Sequence, residues 1–231
     1  MRAGGRDYNR LVADTPQPSI RRLPFTAEGA IARAVSVLRR GGIVAFPTET
    51  YYGLAADPFN PEAMRRLLDV KGRPAGSPFP LMAPSLEAVI GCFPRFPRGG
   101  QDLARAFWPG PLTLAVPAPP GLHPATLSRA GAAAVRVPGS AEARQLAAAF
   151  GGLLTATSAN VSGSPPATRP DEVARVLERG VDLLLDGGDT PGGAPSTVVD
   201  LSGEAPVLVR AGAVPAERIE AVLGRPLAAL F

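Results

Sequence analysis

The sequence predicts an α/β fold in one domain, a twisted sheet with flanking helices, and two observations carry this. Short apolar runs alternate with segments of helical period along most of the chain, and Gly and Pro punctuate nearly every junction. After an opening polar stretch there is no repeat and no linker, so the rest reads as a single unit.

Residues 1–24 are polar, bear arginines and are broken by prolines, which predicts a flexible N-terminal arm; the folded domain is expected over 25–231. Ile31, Ala34, Val35 and Leu38 mark the apolar face of a first helix that ends at Gly41-Gly42. "IVAF" (43–46) has the run of a buried strand and stops at Pro47. Asn60, Pro61 and Gly72 supply the N-cap, first position and terminator of a second helix. Further strands are expected at 112–116, 133–137, 153–157, 182–186, 196–201 and 206–210, and further helices at 85–90, 100–107, 140–149, 170–178 and 215–223.

Composition narrows the chemistry. Hydrophobic residues make up 45% of the 231, enough for an ordinary core, and the net charge of +4 suits a polyanionic partner. One cysteine, Cys92, rules out a disulfide framework, and with one histidine a His/Cys zinc site lacks ligands. His123 sits in the Pro-rich "PPGLHPAT", a poor setting for the base of a nucleophilic triad. No signal-peptide core and no run of membrane-spanning length is present, so a cytoplasmic protein without a membrane partner is expected.

Several strand ends carry polar groups. "PTETYYG" brings Thr48, Glu49, Thr50, Tyr51 and Tyr52 to the end of a strand, where they serve either a capped turn or a small polar ligand. Lys71, the one lysine among 24 basic Lys and Arg residues, lies with Arg73 in "KGRP". The pair suits a helix C-terminus, and equally a phosphate chain. Neither a P-loop nor a dinucleotide fingerprint is present, so a nucleotide site would be of another kind. Arg136, in an otherwise apolar strand, demands an anion, either an internal carboxylate or that of a ligand. "TSANVSG" adds Ser158 and Asn160, a glycine-rich loop leads to Ser196 and Thr197, and "VLVRAG" carries Arg210.

"GGIVAFPTETYYGLAADP", "KGRP", "FWPGPLTL", "AAVRVP", "TSANVSG", "LLLDGG", "STVVDL" and "VLVRAG", in this order between Ile31 and Gly224, resemble the YrdC-like family, the threonylcarbamoyl-AMP synthases of tRNA modification. The resemblance implies a single-domain twisted mixed sheet with a concave, positively charged face. It implies synthesis of threonylcarbamoyl-AMP and pyrophosphate from L-threonine, bicarbonate and ATP, with Mg2+ on the triphosphate and no dedicated acid or base. Other enzymes, a downstream transferase machinery, would pass the group to tRNA.

By the same resemblance Lys71, Arg73, Ser158, Asn160 and Arg210 would bind ATP, and Thr48, Tyr52, Arg136, Ser196 and Thr197 threonine; no metal-binding residue is implied. Two departures stand out. Met82, in "GSPFPLM", falls about where many members have a histidine of the threonine pocket, and Tyr51 replaces the commoner valine. An RNA-binding module holding double-stranded RNA or tRNA on the basic face, or a paralogue with another acceptor, are the alternatives.

Overall fold

A computed structural model describes residues 20–72, 77–178 and 180–229. In chain order the elements are β1 (Arg21–Pro24), α1 (Ala30–Arg39), β2 (Val44–Phe46), β3 (Gly53–Ala55), α2 (Pro61–Lys71), β4 (Leu81–Met82), α3 (Leu86–Cys92) and α4 (Arg98–Phe107). There follow β5 (Leu112–Pro117), β6 (Ala132–Arg136), α5 (Ala141–Phe150), β7 (Leu154–Thr155), β8 (Thr157–Ser158) and α6 (Pro170–Val176). The chain closes with β9 (Leu183–Asp186), β10 (Thr197–Asp200), β11 (Val207–Arg210), α7 (Ala216–Leu223) and β12 (Ala228–Ala229).

The α/β class with flanking helices holds, and pairing is mixed, but the strands form two sheets rather than one. Sheet A runs β1-β9-β2-β3-β8 and sheet B runs β12-β11-β10-β5-β6-β4-β7. The predicted strand at 153–157 is the corner between them. Leu154 and Thr155 pair with β4 in sheet B, Thr157 and Ser158 pair with β3 in sheet A, and Ala156 alone separates the two. Thr155 bolts the corner, since its N–H donates to the Ala56 carbonyl at 3.0 Å and its Oγ1 accepts from the Ala56 N–H at 2.8 Å.

Burial follows the pleat, because successive side chains of a strand point to opposite faces. In sheet A both sets are buried. Val44, Phe46, Leu183 and Leu185 pack on α1 and α5, whereas Ala45, Leu54 and Leu184 pack on the side of α2 and α6. In sheet B one set, including Leu112, Leu114, Val116, Val135 and Val199, packs with Val89 of α3, Leu103 of α4 and Ile219 of α7. The alternate set, Thr113, Ala134, Arg136 and Val198, faces a cavity.

Local signals act as the sequence implies. Asn60 Oδ1 accepts from the N–H groups of Glu62 and Ala63, at 3.0 and 3.2 Å, and Gly72 ends α2 with a left-handed backbone, φ 54°. One boundary moves. Residues 21–24, assigned above to the arm, pair in parallel with β9, because Arg22 finds Asp186 and Asp171 there, at 2.8 and 2.5 Å. The remainder of the predicted arm, 1–19, lies outside the described residues. No described helix is long and apolar enough to cross a membrane.

Candidate active site

A cavity of about 440 Å³ lies between the two sheets. Phe46, Gly53, Thr157 and Ser158 come from sheet A, and Leu81, Thr113, Ala134, Arg136, Val198 and Arg210 from sheet B. The "PTETYY" turn and Ala194–Ser196 complete the wall. Of the ten residues singled out in the sequence, Thr48, Tyr52, Arg136, Ser158, Ser196 and Arg210 line it.

The turn after β2 is built by Thr48. Its Oγ1 accepts from the N–H groups of Thr50 and Tyr51, both at 3.2 Å, and donates to the Tyr51 carbonyl at 2.6 Å. The capped-turn reading of this hydroxyl is therefore correct, and the turn is what aims Glu49, Thr50 and Tyr51 at the cavity. Glu49 is the internal carboxylate Arg136 requires: one oxygen pairs with the guanidinium and the other accepts from the Ser140 N–H at 3.1 Å. Ser140 in turn caps α5 through its Oγ and the Ala143 N–H, 3.0 Å apart. Burial by itself would raise the Glu49 pKa, but the charge of Arg136 and the backbone N–H bonds outweigh it and hold the carboxyl below its ordinary value.

Tyr52 is fully buried. Its hydroxyl donates to the Gly188 carbonyl at 2.7 Å and accepts from the Gly187 N–H at 3.2 Å, so the phenol pins the glycine-rich stretch while its ring borders the cavity. Burial, aided by the nearby Asp186 charge, pushes its pKa up to about 12, and the phenol stays neutral. Tyr51 holds the same stretch further on, donating to the Gly193 carbonyl at 3.1 Å.

Three strands along the same wall from Arg136, Arg210 donates to the Ser196 carbonyl from Nε and Nη2, at 3.2 and 2.8 Å, and from Nη2 to Ser196 Oγ at 3.0 Å. Partial enclosure and the facing charge of Arg136 lower its pKa, yet a guanidinium remains charged near neutrality. This close seat depends on Gly212, where a Cβ would come within 2.4 Å of the Pro195 carbonyl oxygen.

Three predicted residues stand elsewhere. Lys71 is 2% exposed, and its ammonium donates inward to the carbonyls of Ser158 and Asn160, at 2.7 and 2.5 Å, and to Asn160 Oδ1 at 2.9 Å. Asn160 also accepts from Ser158 Oγ and donates to the Val161 and Ser164 carbonyls, which makes it the organiser of a turn. Thr197 Oγ1 is buried and exchanges bonds with the backbone of Val214, at 2.7 and 3.0 Å. Arg73 lies outside the described residues. Met82 belongs to the core with Leu146 and Leu154, not to the cavity wall, so the substituted histidine position leaves no methionine in the pocket. His123 caps a short turn by accepting from the Ala125 N–H at 3.1 Å.

The sequence reading missed Thr113, a lone hydroxyl in "LTLAV" whose pleat position was its only signal. It also missed Glu49 as the partner of Arg136. Among the described residues no three His, Cys, Asp or Glu side chains gather to hold a metal ion. The cavity thus offers two guanidiniums three strands apart on the sheet B wall, one carboxylate already engaged, and hydroxyls between them. Such a lining suits a ligand with more than one anionic group.

The family model described as "Telomere recombination" (Sua5_yciO_yrdC) matches residues 36–212. The threonylcarbamoyl-AMP synthase of Pyrococcus abyssi is 38% identical over 197 residues, 85% of this chain and 58% of the relative. That of Bacillus subtilis is 36% identical over 200 residues, 86% of this chain and again 58% of the relative. The chain therefore spans under two thirds of the length of these two relatives. The crystal structure of P. abyssi Sua5 complexed with L-threonine superposes with a TM-score of 0.82 at 36% identity, covering 91% of this chain and 62% of that one.

Proposed function

The chain belongs to the Sua5/YciO/YrdC family, and from that premise we propose that it is a threonylcarbamoyl-AMP synthase acting on L-threonine, bicarbonate and ATP. The single observation that carries this is the pair of guanidiniums, Arg136 and Arg210, at the two ends of one row on the sheet B wall of a single cavity, with hydroxyls between them. The reaction must hold two anionic substrates end to end, and the lining supplies a cation for each. The relative solved with L-threonine supports threonine as one of the ligands.

In this reading Arg136 takes the threonine carboxylate. Glu49 holds one guanidinium nitrogen and leaves the fork oriented toward the cavity. The "PTETYY" turn, with Thr48 and Tyr52 as its fasteners, walls the amino-acid side, and Ser196 borders it. Arg210 and Ser158 face the nucleotide. Lys71 and Asn160 act on that side through the turn they brace, with Arg73 beside it in sequence, and Thr197 fixes the strand that presents Ser196.

The threonine ammonium and bicarbonate condense to the carbamate, releasing water and a proton. A carbamate oxygen then forms a bond to the α-phosphorus as the bond to the pyrophosphate oxygen breaks. The chain's contribution is alignment and charge neutralisation rather than an acid or base, in keeping with the absence of a histidine from the wall. Mg2+ would arrive on the triphosphate, held by phosphate oxygens, since the cavity's one carboxylate is taken by Arg136. The product would pass to a transferase machinery that modifies tRNA in the cytoplasm.

The test is incubation of the purified chain with ATP, bicarbonate and labelled L-threonine. Pyrophosphate and labelled threonylcarbamoyl-AMP are expected in equal amounts, and only when all three substrates are present. Pyrophosphate release that ignores threonine, or none at all, would contradict the proposal.

A further inference from the structure

Thr113 of β5 has no part in the reading above, although it lines the cavity and is 3% exposed. Its Oγ1 lies 2.8 Å from Ser196 Oγ, its one side-chain hydrogen-bond partner among the described residues. Ser196 Oγ also accepts from Arg210 Nη2, and a guanidinium has donors only. The two hydroxyls carry two protons, and the bond between them uses one. The other O–H, on whichever of the two oxygens, has no acceptor among the described residues. Both hydroxyls line the cavity, so this O–H is placed to donate to a ligand oxygen there.

The register says where that oxygen must lie. Val198 stands opposite Arg210 in the β10–β11 pair and beside Thr113 in the β5–β10 pair. On the other side Leu114 faces Val135, so the antiparallel register brings Thr113 opposite Arg136 one residue on. Arg136, Thr113, Val198 and Arg210 thus form one row across four strands, all lining the cavity. At about 4.8 Å per strand, Thr113 is roughly 5 Å from the Arg136 backbone and roughly 10 Å from that of Arg210.

We propose that the Thr113–Ser196 hydroxyl pair, polarised by Arg210, is the subsite for the second oxyanion of the amino-acid substrate, the carbamate carried on its amine. This rests on the synthase reading. With the threonine carboxylate on Arg136 and the nucleotide toward Arg210, the carbamate falls between them, beside Thr113. The free O–H donates to one carbamate oxygen and keeps its proton. The other oxygen forms the bond to the α-phosphorus while the bond to pyrophosphate breaks.

The probe is 2-(1-hydroxyethyl)butanedioate, in which a methylene replaces the carbamate nitrogen of N-carboxythreonine. Its binding to the full chain is measured by calorimetry, beside that of L-threonine and of ATP. Thr113→Val should raise the Kd of the probe about 10- to 100-fold, the range for a hydrogen bond to a charged acceptor. The Kd values of L-threonine and ATP should stay within about threefold, and Thr113→Ser should bind the probe within about threefold of the unaltered chain. Failure of the unaltered chain to bind the probe, or unchanged probe binding by Thr113→Val, overturns the subsite. So does an equal loss of ATP binding, which would assign the hydroxyls to a phosphate, or an equal loss of L-threonine binding. A Thr113→Ser variant as weak as Thr113→Val would make the role one of packing, and overturns it too. Thr113-dependent probe binding in a chain that releases no pyrophosphate would remove the synthase reading and leave the subsite standing.

Discussion

Sheets A and B are built from similar short strands, yet they do opposite work, and the difference lies in what covers their faces. Sheet A has helices on both sides, and its central strands β2, β3 and β9 are apolar at nearly every position. Sheet B has α3, α4 and α7 on one side; on the other, β5, β6, β10 and β11 face the cavity, and Met82 and Leu154 at the β4–β7 edge pack with α5. Its strands alternate, with Leu112, Leu114 and Val135 inward and Thr113, Ala134 and Arg136 toward the cavity. Sheet A supplies rigidity, and sheet B spends one face on chemistry while the other anchors it. Register sets the backbone positions of this polar row, and Glu49 and Ser196 then hold its two guanidiniums.

Substitutions in the two sheets should therefore separate stability from activity. Leu184→Ala, buried on the α2 and α6 side of sheet A, should cost about 2–5 kcal/mol in urea unfolding and leave turnover per folded molecule unchanged. A fall in turnover of the folded fraction would mean that sheet A shapes the site directly. Arg136→Leu, on the open face of sheet B, should lower threonine-dependent pyrophosphate release by about 100-fold with the far-ultraviolet circular dichroism retained. Near-normal turnover would remove Arg136 from the threonine site. Lys71→Ala, which frees the turn at Ser158–Asn160, should weaken ATP binding by about 10-fold and L-threonine binding much less. Equal losses by calorimetry would give Lys71 to the fold as a whole.

Glu49 links the two sheets, and its effect is smaller and depends on pH. Its folded pKa is depressed, so the stability it contributes is complete above the ordinary carboxylate range and is lost as pH falls through the folded value. The Tm of the unaltered chain should thus drop more steeply below about pH 4.5 than that of Glu49→Gln, and parallel curves would contradict the pairing with Arg136. The smallest effect is expected at Asn60→Ala, about 1 kcal/mol from a lost N-cap far from the cavity, with activity intact.

Much of this contrast was legible in the sequence, because it is written in period and punctuation. "IVAF" and "DLLLD" have no polar break and belong to the sheet buried on both faces, whereas "LTLAV" and "AAVRV" carry one polar residue each on the open face. Arg136 declared its need for an anion, but which anion was hidden, since Glu49 is 87 residues away and reaches it only through a turn. Where Lys71 is seated was hidden for a related reason. Its acceptors are mostly backbone carbonyls, which every residue has and no sequence distinguishes. The division into two sheets escaped notice because one residue, Ala156, makes the corner inside what reads as a continuous strand. β3 and β4, three and two residues long, are too short for a periodic signal and are set by their neighbours.

Hydrogen–deuterium exchange with and without ATP and L-threonine puts the division of labour to its most direct test. Added protection is predicted at the Thr48–Tyr52 turn, at Ala194–Thr197 and along the cavity-facing ends of β5, β6 and β11, with β9 and α1 of the covered layer unchanged. Protection concentrated in β9 and α1, or none along the open face of sheet B, would contradict the account.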